Sequence, residues 1–114
     1  MTRPPRARLL DILASCEVIA SHLSRADADE GLLFDALRIR LVEIGEAAKD
    51  LPADLTDTEP EIPWSLITRL RDQLAHRYFD TTHAIVFETA RRDVPALALA
   101  VRRMLSASDN PTAG

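Results

Sequence analysis

Residues 63–79 read PWSLITRLRDQLAHRYF, and the apolar side chains of this stretch recur at helical spacing. Pro63 suits the first turn of a helix, since the N–H group that proline lacks would have no partner there. The spacing predicts a third helix of the chain from Pro63 to about Tyr78. Its repeating face consists of Trp64, Ile67, Leu70 or Arg71, Leu74 and Tyr78. A helix with one apolar face is typical of a packed bundle.

The same helix also carries side chains suited to phosphate chemistry. Arg71 is a permanent cation with a fork of donors, His76 can exchange a proton near neutral pH, and Tyr78 has a phenolic hydroxyl. On an ideal helix Arg71 and Tyr78 share a face, whereas His76 lies about 140° round from Arg71. Asp72 precedes His76 by four residues and could orient the imidazole. Arg71 and His76 could still act on one phosphate if the long arginine side chain bends toward the histidine. Alternatively, a second chain related by a two-fold axis could complete the site.

Composition favours an all-α, antiparallel bundle of about five helices. The chain has 114 residues, of which 46% are hydrophobic and only 4% aromatic, with 3 glycines. This length predicts one domain over residues 1–114 with one core. A basic arm at residues 1–7 and a polar tail at residues 106–114 are expected to be flexible.

Two helices are predicted before the central stretch. Apolar spacing places the first from about Pro5 to Leu23. Asp27 and Glu30 form a capping-box pattern for a second helix from about Ala28 to Asp50. The segment 51–63 has three prolines and four acidic residues, which predicts an acidic connecting loop without a helix.

Two further helices are predicted after the central stretch. The fourth begins near Thr81 or Thr82 and gives way at Asp93-Val94-Pro95 to a last helix that ends near Leu105. His83 lies in the first turn of the fourth helix, and His22 near the end of the first. Both are interpreted as surface or capping residues without a chemical role.

Gly45 and Glu46 stand out within the second helix. A glycine inside a helix costs about 1 kcal/mol relative to alanine. Gly45 therefore predicts the close approach of another helix or of a partner's backbone. Two interpretations of Glu46 remain open: a solvated carboxylate, or an acceptor that orients Arg71 or an arginine of a partner.

Several classes of protein are disfavoured by the residue content. The single Cys16 lies on the apolar face of the first helix, which indicates a core residue and excludes an internal disulfide. The sequence contains no run of 18 apolar residues, which a membrane-spanning helix would need, so a cytoplasmic protein is expected. No metal-ligand or cofactor-binding motif is recognisable. The net charge of −4 argues against general nucleic-acid binding, so any contact with RNA must be local.

Several segments of the chain together resemble the HepT-like branch of the HEPN superfamily. They are Ile62-Pro63-Trp64, the spacing of Arg71 and His76 with Tyr78 two residues further, Ile44-Gly45-Glu46-Ala47-Ala48, Asp80, and the segments 85–89 and 93–95. The resemblance extends from about Leu33 to Leu105. It implies a HEPN-like fold and a homodimeric, metal-independent endoribonuclease that acts as the toxin of a type VII-like toxin–antitoxin system.

The resemblance also implies roles for individual residues and a partner. Arg71 and His76 would be the catalytic pair, supported by Asp72 and Glu46. The partner would be a minimal nucleotidyltransferase (MNT) antitoxin that transfers AMP to Tyr78. The alternative is a non-catalytic helical adaptor that binds a nucleotidyltransferase, with Arg71 and Tyr78 as interface residues.

Overall fold

The computed structural model describes residues 3–25, 27, 29–75 and 79–109, and every regular element in those ranges is helical. The helices are α1 (Pro5–Leu23), α2 (Glu30–Lys49), α3 (Ala53–Thr56), α4 (Trp64–Thr68), α5 (Leu70–Ala75), α6 (Phe79–Glu88) and α7 (Val94–Asp109), and a π-helical segment (Thr89–Asp93) joins α6 to α7. The predicted all-α class is therefore confirmed. Within the described ranges, none of the helices has the length and apolar character needed to span a membrane.

Helix α2 is the element that most others touch. It packs against α1 on one side and against α4, α5 and α6 on the other, while α7 covers the remaining side of α1. The buried side chains form a single cluster, in which the following are completely inaccessible to solvent: Ile12, Ile19, Leu37, Leu41, Leu74, Val86 and Val101. These residues come from α1, α2, α5, α6 and α7, so α2 and its neighbours share one core.

The start of α2 differs from the predicted capping box. Asp29, and not Asp27, is the N-cap residue, and its carboxylate accepts a hydrogen bond of 3.0 Å from the backbone N–H of Leu32. Asp29 has extended backbone angles, which aim its side chain at the exposed N–H groups of the first turn. Spacing alone could not choose between two aspartates two residues apart.

The predicted third helix is interrupted. Arg69 separates α4 from α5, and its N–H group donates to the carbonyl of Leu66, three residues earlier. Such an i to i−3 bond is a 3₁₀ turn, which is tighter than the α-helical turn on either side. Of the predicted face, Ile67, Leu70 and Leu74 are buried, whereas Arg71 is exposed. Leu70, not Arg71, is thus the core residue at this level.

The acidic connection contains the short helix α3, which was not predicted. Pro52 is its N-cap, so the proline precedes the helix and interrupts nothing. The connection is tied down further on. The indole Nε1 of Trp64 donates to the carbonyl of Glu59 at 3.0 Å, and two guanidinium nitrogens of Arg103 donate to the Glu59 carboxylate at 2.7 and 3.1 Å. The hydrogen bonds from Arg103 lower the pKa of Glu59.

The predicted break at residues 93–95 is a wide helical turn. The N–H group of Val94 donates to the carbonyl of Thr89, five residues earlier, which closes the π-helical segment. Pro95 follows directly, and a proline ring collides with the carbonyl four residues before it in a regular α-helix. The extra residue in the π turn relieves that collision, so the chain stays helical into α7.

Helix α7 extends further than the predicted last helix. It reaches Asp109, four residues beyond Leu105. Its apolar residues Leu97, Val101, Met104 and Leu105 are all buried.

The predicted close approach at Gly45 is present and lies within one chain. A Cβ atom on Gly45 would stand 3.0 Å from the carbonyl oxygen of Ile67 and 3.3 Å from the backbone nitrogen of Arg71. Both neighbours are backbone atoms, so they cannot rotate away as a side chain could. Gly45 therefore allows α2 to carry α4 and α5 at near backbone contact.

We predict that Gly45→Val lowers the free energy of unfolding by about 1–3 kcal/mol, because the added methyl groups must push the 67–71 backbone away. Urea denaturation followed by circular dichroism measures the change. Ala84→Val, at an exposed position of α6, is the matched control and should cost less than about 1 kcal/mol. Equal losses in the two variants would contradict the close packing at Gly45.

Candidate active site

Arg71 and Glu46 meet where α5 crosses α2. The Nη1 atom of Arg71 lies 2.6 Å from the Oε1 atom of Glu46, and the two side chains are 54% and 47% exposed. Glu46 directly follows Gly45, so the close backbone contact brings the two side chains within reach of each other. A guanidinium has five N–H donors, and a single carboxylate oxygen engages only part of that fork. The remainder of the Arg71 head can face a ligand from solvent.

Of the other predicted site residues, the structure describes Asp72. Asp72 lies in the first turn of α5 and is exposed. His76 and Tyr78 lie outside the described residues, so the contact of Asp72 with His76 stays a prediction. The structure thus brings together Arg71 and Glu46 of the predicted set.

Arg38 makes a contact with the backbone of α5 that the sequence did not predict. Its Nε and Nη2 atoms donate hydrogen bonds of 3.1 and 2.9 Å to the backbone carbonyl of Leu74. Its neighbour Arg40 instead pairs with Glu43 at 3.0 Å on the surface of α2. The available signal was position: Arg38 follows the buried Leu37 and precedes the buried Leu41 by three residues, which places it beside the apolar face.

His83 packs between two aromatic rings and remains partly exposed, with 34% of its side chain accessible to solvent. Its imidazole is stacked on Phe34 of α2, with ring centroids 5.5 Å apart and planes inclined by 6°. The ring of Phe87 lies 4.6 Å from it on α6. Its Nε2 atom is 3.7 Å from a carboxylate oxygen of Glu30, a distance that allows an ion pair when the imidazole is protonated. His83 therefore fixes the start of α6 to α2.

Cys16 has no part in this site. It is buried in α1, and burial raises the pKa of its thiol to about 12, although Arg102 of α7 acts in the opposite direction. The thiol therefore stays protonated at neutral pH and is a poor nucleophile. The sequence-based interpretation of Cys16 as a core residue agrees with this. Its basic neighbour Arg102 is distant in the chain and became visible only in the fold.

The arrangement suits recognition of an anion more than binding of a metal. Within the described ranges, no group of three or more His, Cys, Asp or Glu side chains is placed to hold a metal ion. Arg71 instead presents part of a planar, permanently charged donor fork to solvent, which is the geometry that binds phosphate oxygens well.

Comparison with known proteins identifies the family. The model of the family described as "Ribonuclease HepT-like" matches residues 9–104, which is most of the chain. The chain belongs to the ribonuclease HepT-like family. The predicted resemblance and the predicted enzyme class, a HEPN-type ribonuclease, are thereby confirmed.

Individual relatives cover nearly the same length. A Thermococcus cleftensis protein named "Probable ribonuclease HepT" is 36% identical over 102 residues, which are 85% of this chain and 92% of that protein. A protein of Caldanaerobacter subterraneus subsp. tengcongensis, provisionally named an RNase, is 31% identical over 107 residues, 90% of this chain and 96% of its own. A provisionally named RNase of Methanocaldococcus jannaschii is 37% identical over 94 residues, 79% of this chain and 78% of its own. No solved structure matches this chain.

We predict that Glu46→Gln changes the free energy of unfolding by less than about 1 kcal/mol, because an ion pair with both partners half exposed contributes little to stability. Chemical denaturation measures this, with Glu43→Gln in the exposed pair with Arg40 as the matched control. A loss near 3 kcal/mol, which is typical of breaking a buried pair, would show that the contact holds α2 and α5 together.

Proposed function

We propose that this HepT-like protein is a metal-independent endoribonuclease and the toxin of a type VII-like toxin–antitoxin system in the cytoplasm. The observation that carries the proposal is the half-exposed Arg71, which Glu46 holds on α5 five residues before His76 in a chain of the ribonuclease HepT-like family. Arginine is suited to hold the non-bridging oxygens of a phosphodiester, and histidine is suited to move the proton.

The reaction we propose begins at a ribose 2′-hydroxyl. His76 takes its proton while the 2′-oxygen attacks the adjacent phosphorus, and Arg71 stabilises the negative charge that develops on the phosphate oxygens. The bond from phosphorus to the 5′-oxygen of the next nucleotide breaks, and that oxygen receives a proton. The products are a 2′,3′-cyclic phosphate and a 5′-hydroxyl. Every atom in this scheme comes from RNA or from a protein side chain, so it requires no metal ion.

The second proton transfer is the reason for proposing a homodimer. One histidine acting as base leaves the acid step without a donor, and His76 of the partner subunit would supply it if a two-fold axis passes beside the cleft. Gly45 does not support this dimer, because α4 and α5 of the same chain fill the space beside it. The proposed dimer therefore rests on the chemistry alone.

Glu46 and Asp72 are proposed as supporting residues. Glu46 fixes one edge of the Arg71 guanidinium, so less side-chain freedom is lost when a phosphate binds the other edge. Asp72 lies four residues before His76, at a spacing from which it can orient an imidazole and stabilise its protonated form.

The proposed partner is a minimal nucleotidyltransferase antitoxin that transfers AMP to the hydroxyl of Tyr78. Tyr78 follows Arg71 by seven residues, at helical spacing for one face. An added AMP brings a phosphodiester charge and a nucleoside to the place where the RNA phosphate binds beside Arg71. It would exclude RNA both by repulsion and by bulk.

The rival function is the non-catalytic adaptor, which the net charge of −4 favours. An adaptor would bind the nucleotidyltransferase and leave RNA intact. The spacing of Asp72 and His76 favours the ribonuclease, since an interface has no need of an orientable imidazole.

We predict that His76→Ala lowers the rate of RNA cleavage by about 10² to 10⁴-fold, the usual effect of removing a general base or acid. Arg71→Lys should also lose most activity, because an ammonium cannot reproduce a bidentate grip. Cleavage of a labelled RNA in the presence of EDTA, with analysis of its 5′ ends, measures both effects.

The controls for this experiment come from the same chain. His22→Ala, in the last turn of α1, and Arg92→Lys, in an exposed pair with Glu88, should leave cleavage unchanged. Wild-type rates in a folded His76→Ala protein would refute the catalytic assignment. Binding of the nucleotidyltransferase without any cleavage by the wild type would establish the adaptor.

We predict that Tyr78→Phe keeps much of the toxicity and escapes enzymatic neutralisation, because the phenol is dispensable for proton transfer if His76 performs it. Co-expression with the nucleotidyltransferase and intact-mass analysis should show added AMP on the wild type and none on the variant. Modification of another residue, or full neutralisation of Tyr78→Phe, would refute Tyr78 as the acceptor.

A further inference from the structure

Arg38 makes a contact that surface ion pairing does not explain. Both its Nε and its Nη2 donate to one acceptor, the backbone carbonyl of Leu74, from a half-buried position on α2. The two residues are 36 positions apart in the chain. The contact is therefore a tertiary clamp from α2 onto the backbone of α5.

The clamp acts close to His76 through covalent geometry alone. The carbonyl of Leu74 lies in one rigid plane with the nitrogen and Cα of Ala75, because the peptide bond is planar. Only the two backbone torsions of Ala75 separate that plane from the Cα of His76. A clamp on this carbonyl therefore acts within two backbone torsions of His76.

Helix α2 also holds the chain on the far side of residues 76–78. Phe34 lies one turn before Arg38 on α2, and its ring is stacked on His83 of α6. Arg38 and Phe34 thus bind the segments before and after residues 76–78 to adjacent turns of α2.

The chemistry of the clamp favours arginine. A guanidinium donates two hydrogen bonds in a fixed fork, so it defines both the distance and the direction of the carbonyl. Hydrogen bonds from a charged donor are stronger than those between neutral groups.

We propose that Arg38 is a positioning residue of the ribonuclease site, which holds the backbone before His76 so that its imidazole reaches the scissile phosphate with the correct geometry. This inference rests on the proposed function. It assigns Arg38 no contact with RNA, so its loss should lower the rate of the chemical step and leave substrate binding unchanged.

The test compares Arg38→Gln and Arg38→Lys with Arg40→Gln in the full chain, using a labelled RNA under EDTA. Arg40 lies two residues further on α2 and pairs with Glu43, so its variant removes a charge from the same helix without touching the clamp. Arg38→Gln should lower kcat about 10- to 100-fold, as expected for a misplacement near 1 Å, with KM within about twofold of the wild type. Arg38→Lys should recover part of kcat, because an ammonium can still donate to the carbonyl.

A second measurement does not depend on cleavage. In ¹⁵N-labelled protein, Arg38→Gln and Arg38→Lys should move the backbone amide resonances of residues 75–78 more than Arg40→Gln does. If the wild type cleaves no RNA, the proposed ribonuclease function fails. The amide shifts then still decide whether Arg38 clamps this backbone.

Two results would overturn the inference. Amide shifts at residues 75–78 no larger than in Arg40→Gln, or wild-type kcat in Arg38→Gln, would show that the clamp has no effect on the motif. A raised KM with unchanged kcat and a weaker dependence of binding on salt would show that Arg38 contacts RNA phosphate directly.

Discussion

The near contact between Gly45 and the backbone of residues 67–71 is the constraint on which the described part of the site depends. With no Cβ at Gly45, α2 and the α4–α5 segment approach until a carbonyl oxygen and a backbone nitrogen lie beside its Cα. Two side-chain contacts join α2 to α5 beside this approach: Glu46 lies 2.6 Å from Arg71, and Arg38 donates to the carbonyl of Leu74 at 2.9 Å.

The contact between Arg71 and Glu46 is a solvent-screened ion pair and not a buried one. Both side chains are half exposed, so solvent screens the pair and its free energy is small. A phosphate that binds the other edge of the Arg71 guanidinium, as we propose, would not have to break a buried ion pair. The acidic chain as a whole repels RNA, which confines attraction to places where such a cation is presented.

Local patterns predicted most of the framework. Apolar spacing gave the bounds of α1 as Pro5–Leu23 and the buried residues Ile67, Leu70 and Leu74 of the central stretch, because burial of a helix face imposes a 3.6-residue period on the sequence. The predicted helix boundaries are wrong where a local change in backbone hydrogen bonding replaces the regular α-helical pattern. The 3₁₀ turn at Arg69 and the π turn before Pro95 each involve a shift of one residue in the bonding partner, and residue periodicity does not resolve such a shift.

Residue types and their spacing predicted the all-α class, the buried residues of the central stretch and the candidates Arg71 and His76, whereas the family was recognised from its resemblance over several segments of the chain. Tertiary structure decided which helix approaches Gly45, whether Glu46 is solvated or meets Arg71, and that Arg38 clamps Leu74. The physical reason is range. Helical periodicity shows which face of a helix is buried, whereas the partner of a polar side chain depends on how two helices cross. Arg38 and Leu74, for example, are 36 residues apart in the chain.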